Sequence, residues 1–203
     1  MKWPKLREVM EAVKAVVKGP YTSSFPKEDF KPHPNFRGQY QFHEDRCVGC
    51  LACEEVCPAG AIAHEDHLLN GKGMRTMIHY SDTCIFCGTC EAACIADHEG
   101  IKTSLLYDLS FFNRKKEGIE TIQKELQLCE ICATPLACKD HLLWIAEKLG
   151  ELTYSSPTLY QSRLQHLDLI DQNLVTSLKD NGRSDRVKIL CAPCRRATTL
   201  TTK

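Results

Sequence analysis

Several things are scarce in this 203-residue chain, and each scarcity excludes something. Net charge is zero, because 26 Lys and Arg residues face 26 Asp and Glu. A protein-wide field that gathers nucleic acid or an anionic membrane is therefore not expected, although a local basic patch is compatible with this balance. Aromatic residues make up 7% and are not interleaved with Lys and Arg, which argues against stacking platforms for single-stranded nucleic acid. No apolar run approaches the roughly 20 residues of a membrane span. The opening Met1-Lys2-Trp3-Pro4-Lys5 has neither the apolar stretch nor the small-residue cleavage site of a secretory signal. A nucleophile elbow, a P-loop and a dinucleotide fingerprint are all missing, so the residues define no substrate pocket. What is plentiful is cysteine: there are 13, an odd count, gathered at metal-ligand spacings. A reducing, cytoplasmic setting with metal thiolates is expected rather than a disulfide framework.

Eight of the cysteines form two copies of one pattern, Cys-x-x-Cys-x-x-Cys-x-x-x-Cys. Cys47, Cys50, Cys53 and Cys57 recur 37 positions later as Cys84, Cys87, Cys90 and Cys94, and Glu54 recurs as Glu91. Three cysteines two residues apart wrap a tight loop around one corner of a [4Fe–4S] cubane, while the fourth points away and ligates the other cluster. The expected ligand sets are therefore Cys47, Cys50, Cys53 and Cys94 for the first cluster, and Cys84, Cys87, Cys90 and Cys57 for the second. Gly49 and Gly88 suit the loops, where positive φ lets backbone N–H groups approach sulfur. Pro58 follows Cys57 as the bacterial ferredoxin run prescribes. The second half departs from it: Ile95 stands in place of the proline, and Ile101 lies two positions beyond the counterpart of Ile62. Zinc knuckles or structural thiols are the bland alternative, and two complete four-cysteine runs oppose it. The chemistry that follows is one-electron transfer.

Two further pairs, Cys129-x-x-Cys132 and Cys191-x-x-Cys194, match the knuckles of a tetrahedral four-thiolate site. Zinc is the default occupant, and a rubredoxin-type iron has the same ligand geometry. The 58 residues between the pairs weaken the match, and the alternative is that they hold no metal. Cys138 is left over and is expected to be a buried or free thiol. His64, His67, His79 and His98 are expected at the surface or packed behind the ligands, because cysteine already fills every cluster position.

The remaining pattern gives an α+β chain in three parts. Residues 1–42 form an amphipathic helix and a docking arm. Trp3, Leu6, Val9, Met10, Val13, Val16 and Val17 make one apolar stripe over residues 3–17, ended by Gly19-Pro20. That stripe packs on its own domain, on a partner, or on a membrane surface. Residues 20–42, with four prolines, read as an extended arm. Residues 43–112 form the cluster domain, with strands at 62–67 and 74–80 joined by a turn at Asn70-Gly71-Lys72-Gly73. Residues 113–203 form a helical extension carrying the four-cysteine site. Its helices are expected at 118–128 and 140–150, with helical patterning near 164–178 and a frayed end from Arg195.

Several segments resemble a known family. Asn35-Phe36-Arg37-Gly38 before the first motif, Ile78-His79-Tyr80 and Cys84-Ile85-Phe86-Cys87-Gly88 at the second, and Tyr107-Asp108-Leu109 after it resemble the ferredoxin-like connecting subunit of respiratory complex I and of group 4 membrane-bound [NiFe] hydrogenases. The resemblance spans about residues 20–112. The stretch Cys129-Glu130-Ile131-Cys132-Ala133-Thr134-Pro135, with Cys191-Ala192-Pro193-Cys194-Arg195-Arg196, is similar to the tail of the formate hydrogenlyase and hydrogenase-4 versions. This resemblance implies a bacterial-type 2[4Fe–4S] ferredoxin fold in a non-catalytic relay subunit. Its partners would be the large and small catalytic subunits and an electron-input module, on the cytoplasmic face of the membrane. A complex I-like quinone reductase, a free soluble ferredoxin and a nucleic-acid-binding zinc protein are the competing readings. The helix and proline-rich arm oppose the free carrier.

Overall fold

The computed structural model describes residues 5–19, 22, 25–69, 71–113, 117–170 and 188–200. The chain falls into two units, Met1–Phe36 and Arg37–Lys203. The first holds helix α1, Leu6–Lys18. Glu8 accepts the Lys5 N–H at 3.0 Å and so satisfies an orphan donor of the first turn. Gly19 closes the helix at φ +76, its N–H bonded to the Ala15 carbonyl. Within its own unit α1 buries none of its residues, so Leu6, Val9, Val13, Val16 and Val17 stay exposed. Trp3, expected at the helix start, lies outside the described residues.

The second unit is built on the cysteine repeat. Strand β1, Tyr40–Phe42, pairs antiparallel with β4, Ile101–Thr103. Between them lie two one-turn helices, α2 (Ala52–Glu55) and α3 (Thr89–Ala92), each carrying the third cysteine of its run. Strands β2 (Ile62–Leu69) and β3 (Lys72–Tyr80) form the hairpin expected between the halves, closing through Gly71 at φ +78. Placing Tyr40–Phe42 in the arm is corrected: these residues are a strand, and their pairing with β4 ties the two ends of the repeat together.

The extension is not purely helical. Residues Ile119–Leu128, expected as a helix, are strand β5, which pairs with β3 along its length and with β6, Pro135–Cys138, giving the sheet order β2-β3-β5-β6. Ile119, Ile122 and Leu126 mimic a helical stripe. The inward residues are in fact Ile122, Lys124 and Leu126, alternating with exposed Thr121, Gln123 and Glu125. A buried lysine at the middle inward position hides the period of two. Helix α4 (Lys139–Leu149) matches the expected second helix, burying Leu142 and Ala146. A 3₁₀ turn (Gly150–Ser155) and α5 (Pro157–His166) follow. The patterning expected near 164–178 runs into residues 171–187, outside the described set. The end from Arg195 is not frayed before residue 201. Helix α6, Ala192–Leu200, forms there, with the Thr198 and Thr199 hydroxyls on the Arg195 carbonyl and Arg195 Nη2 donating to Thr158 Oγ1 at 2.9 Å.

One face of β3 and β5 positions the sites. Cross-strand pairs Gly73–Leu126, Arg75–Lys124, Met77–Ile122 and His79–Glu120 run along it in that order. Met77 and Ile122 join Tyr40, Cys53, Ile62, Cys90 and Ile101 in the core, and a side chain such as Met77, fully buried, contributes about 1.5–3 kcal/mol. Gly73 is the close approach on this face: a Cβ there would stand 2.9 Å from Leu126 Cβ.

Candidate metal centres

The repeat builds two small cavities, each lined by four cysteines. Cys47, Cys50, Cys53 and Cys94 line the first, with Phe42, Met77 and Ile101. Cys57, Cys84, Cys87 and Cys90 line the second, with Tyr40, Ile62 and His79. Each cavity thus takes three cysteines from one run and the fourth from the other. The loops achieve this with matched left-handed residues. Gly49 and Leu51 have φ +68 and +69, and their counterparts 37 positions on, Phe86 and Gly88, have φ +54 and +87. Each half holds one glycine and one side chain that bears the cost, about 1–2 kcal/mol. After the fourth cysteine the halves diverge. Gly60 turns the first at φ +60, whereas Asp97 and His98 both take positive φ in the second, absorbing the displaced Ile101. Gly100 leaves little room there: a Cβ would lie 3.0 Å from Cys94 Sγ and 3.2 Å from Cys47 Cα.

The cavities suit a metal cluster. Burial pushes the Cys53 and Cys90 thiols up to about 12 and raises Cys47, Cys50 and Cys84. Thiolates in such apolar surroundings need a cation among them, which cluster iron supplies. Amides already point at sulfur: Ala61 N–H donates to Cys57 Sγ at 3.2 Å and Phe86 N–H to Cys84 Sγ at 3.4 Å. Cys87 is exposed, and the Thr89 hydroxyl holds its thiol below the usual range. Buried Tyr40 ends with its hydroxyl unpaired at the second cavity, and burial pushes it up to about 12, so it is a proton donor at any physiological pH.

Two features of the first cavity carry no signal in the cysteine pattern. Arg75 donates to both Asp66 oxygens at 2.8 Å and to the Gly49 carbonyl at 3.1 Å, stapling the loop to β3. Lys124 donates to the Glu44 carbonyl and to Asp140 at 3.0 Å. Both cations are buried. Cys138, fully buried, packs on the same loop: a Cβ on Gly49 would stand 2.6 Å from its Sγ. A charged residue at an inward strand position was the available sequence sign for Arg75 and Lys124. Of the histidines, His79 is buried at the second cavity, and His64 pairs with Glu54 of α2 at 2.6 Å.

The four remaining paired cysteines also converge. The sulfurs of Cys129, Cys132, Cys191 and Cys194 all lie within 4.8 Å of one another, with Cys132 and Cys191 3.6 Å apart. A tetrahedral ion with metal–sulfur bonds of about 2.3 Å sets its sulfurs about 3.8 Å apart, so the group has the dimensions of a four-thiolate site. Glu130 brings the knuckles together, donating its backbone N–H to the Ile189 carbonyl at 3.0 Å and accepting the Ile189 N–H on its carboxylate at 3.1 Å. Buried Ile189 and Leu190 anchor the second knuckle. The Thr134 hydroxyl and N–H lower the Cys132 thiol to about 6, favouring the thiolate. Cys138 stands outside this group.

A ferredoxin repeat with two four-cysteine cavities defines an iron–sulfur electron-transfer protein, and residues 46–98 match the 4Fe-4S dicluster domain family. The chain is 32% identical over 130 residues to NADH-quinone oxidoreductase subunit I 2 of Geobacter metallireducens, an alignment covering 61% of this chain and 95% of that protein. It is 39% identical over 61 residues to formate hydrogenlyase subunit 6 of Escherichia coli, covering 30% of this chain and 34% of that protein. A subunit of the membrane-bound sulfane sulfur reductase, an archaeal respiratory membrane complex, matches at 26% identity and a TM-score of 0.39, over 58% of this chain and 61% of its own. The chain belongs to the NADH-quinone oxidoreductase subunit I family, the iron–sulfur electron-transfer subunits of complex I-like and hydrogenase-like complexes.

Proposed function

We propose that this chain relays electrons, one at a time, between an input module and the [NiFe] catalytic module of a hydrogenase or formate hydrogenlyase-type complex. The two [4Fe–4S] clusters supply the redox chemistry. Cys47, Cys50, Cys53 and Cys94 hold one, and Cys57, Cys84, Cys87 and Cys90 hold the other. The lining of the two cavities supports this crossed assignment. Cys129, Cys132, Cys191 and Cys194 hold one Zn²⁺ or a rubredoxin-type iron, which locks the extension rather than carrying the main electron path. The observation that carries the hydrogenase reading is this third site, converged in space on a tail that resembles the formate hydrogenlyase version. The chain sits peripherally on the cytoplasmic face, with α1 and the following arm docked on sister subunits near the membrane. Among the described residues no helix is long and apolar enough to cross it.

A complex I-like quinone reductase is the second reading, favoured by the Geobacter alignment, which covers 95% of that relative. Anaerobic purification through a tag on this chain, with partners identified by mass spectrometry, separates the two. A large subunit with two Cys-x-x-Cys pairs for nickel and iron supports the hydrogenase. A large subunit without them assigns the chain to a quinone reductase, and a 23.0 kDa monomer without partners rejects both. Crossed ligation has its own test. Cys57→Ser should perturb the EPR signal of the cluster at Cys84, Cys87 and Cys90, and loss of the other signal instead would refute it.

A further inference from the structure

Cysteine does not account for the polar atoms behind the second cavity. Among the described residues, the buried side-chain atoms without a hydrogen-bond partner are Tyr40 Oη, His79 Nδ1 and Glu120 Oε2. These three residues sit together at one end of the β3–β5 face. His79 and Glu120 are a direct cross-strand pair. The Tyr40 and His79 rings meet edge to face with centroids 6.4 Å apart. The other Glu120 oxygen accepts the Phe42 N–H at 2.9 Å, which fixes β1, and therefore Tyr40, against the sheet.

An unpaired buried hydroxyl costs about 1–3 kcal/mol, so a fold that keeps one has a use for it. Phenylalanine would fill the same space without that cost. The Tyr40 side chain is 1% exposed and lines the cavity formed by Cys57, Cys84, Cys87 and Cys90. Its Oη lies 3.4 Å from the point where a Cβ on Gly88 would stand, in the turn between Cys87 and Cys90. Glycine at that position leaves the hydroxyl its path to the cavity. Among the described residues, the strand-side wall of the first cavity, made of Phe42, Met77 and Ile101, has no such donor.

We propose that the Tyr40 hydroxyl donates a hydrogen bond to a sulfur atom of the cluster at Cys57, Cys84, Cys87 and Cys90, and thereby raises the reduction potential of that cluster alone. Reduction places negative charge on the cluster, and a donor aimed at sulfur is bound more strongly by the reduced form. His79 and Glu120 act through Tyr40: they are positioning residues that hold the phenol at the cavity wall. The inference rests on the cluster reading of this cavity.

The test uses the full chain, loaded anaerobically and titrated while EPR follows each cluster. The second signal is assigned by its response to Cys87→Ser. In Tyr40→Phe the second cluster should become harder to reduce by roughly tenfold in equilibrium constant, about 59 mV for one electron, while the first stays put. In D₂O the second cluster should lose one exchangeable deuteron coupling. If Tyr40→Phe takes up too little iron to titrate, 3-fluorotyrosine at position 40, a stronger donor, should move the potential the opposite way. A fully loaded Tyr40→Phe chain with an unmoved second potential, or a fluorinated chain with none, overturns the proposal. A wild-type chain that assembles no iron–sulfur chromophore would instead count against the cluster reading beneath it.

Discussion

The two cavities share a ligand pattern and differ in almost everything behind it. The first is backed by two buried cations, Arg75 and Lys124, each with a carboxylate partner, and by the Cys138 thiol pressed on its loop. The second is backed by Tyr40, His79 and Glu120, each with an unpaired atom, and opens outward at Cys87 and Ile85, which is 63% exposed. The motif therefore dictates how a cluster is gripped, while the sheet face dictates its electrical surroundings. Along the rows Arg75–Lys124, Met77–Ile122 and His79–Glu120 that face changes from two paired cations, through an apolar pair, to polar side chains with unpaired atoms. Two cysteine sets that look equivalent in the sequence line cavities with unequal surroundings.

The sharpest way to break the comparison is at the glycines. Gly49→Ala adds a Cβ 2.6 Å from Cys138 Sγ at φ +68, whereas the nearest atoms to a Cβ on Gly88 are 3.4 Å away. Gly49→Ala should lose the first cluster, with iron falling from about eight to about four per chain. Gly88→Ala should keep both clusters with a weaker second one. Adding Cys138→Ala to Gly49→Ala should recover part of the iron. Equal loss in the two single variants would show that strain, not the thiol, sets the loop.

The third site ranks next. Cys132→Ser should remove about one zinc or iron per chain, counted by elemental analysis, and leave the cluster spectra unchanged. Parallel loss of cluster iron would mean that the three sites are not separable.

Arg75→Met should cost about 1–2 kcal/mol in denaturant unfolding, because it removes the paired hydrogen bonds to the partly exposed Asp66 carboxylate and leaves the Gly49 carbonyl without its donor. The Arg75 guanidinium holds the Asp66 carboxyl below its usual range. Its stabilisation is therefore complete above about pH 4, the unfolded carboxylate value, and lost as pH falls through the lower folded value. As pH falls below about 4, the variant's stability should fall less steeply than the wild type's. Identical slopes would place the acid sensitivity elsewhere. Smallest of all, Lys139→Ala breaks only an exposed pair with Glu125 at 2.6 Å, and thermal unfolding should register a change of about 0.5 kcal/mol or less.

Much of this is legible in the chain. The eight cysteines, the hairpin between their runs and α4 follow from spacing and period. So does the four-cysteine group, although residues 132 and 191 lie far apart, because knuckles are local and only their meeting is tertiary. Strand β5 is not legible. A helix and a strand compete for Ile119 to Leu128, and antiparallel pairing with β3, an interaction that no local pattern contains, accompanies the strand. Tyr40 was hidden for the same reason: its value comes from Gly88, 48 positions away in the chain.

The left-handed residues of the two loops carry a last lesson, about inheritance. Position 49 is glycine and its counterpart 86 is phenylalanine, while position 51 is leucine and its counterpart 88 is glycine. If the repeat arose by copying one half, the copies have since traded side chains while keeping the backbone path. What was passed on is the shape of the turn, and either residue of the pair can bear its strain. Redesign of such a loop can choose which of the two positions carries a side chain only where no neighbour closes on the glycine, as Cys138 does on Gly49.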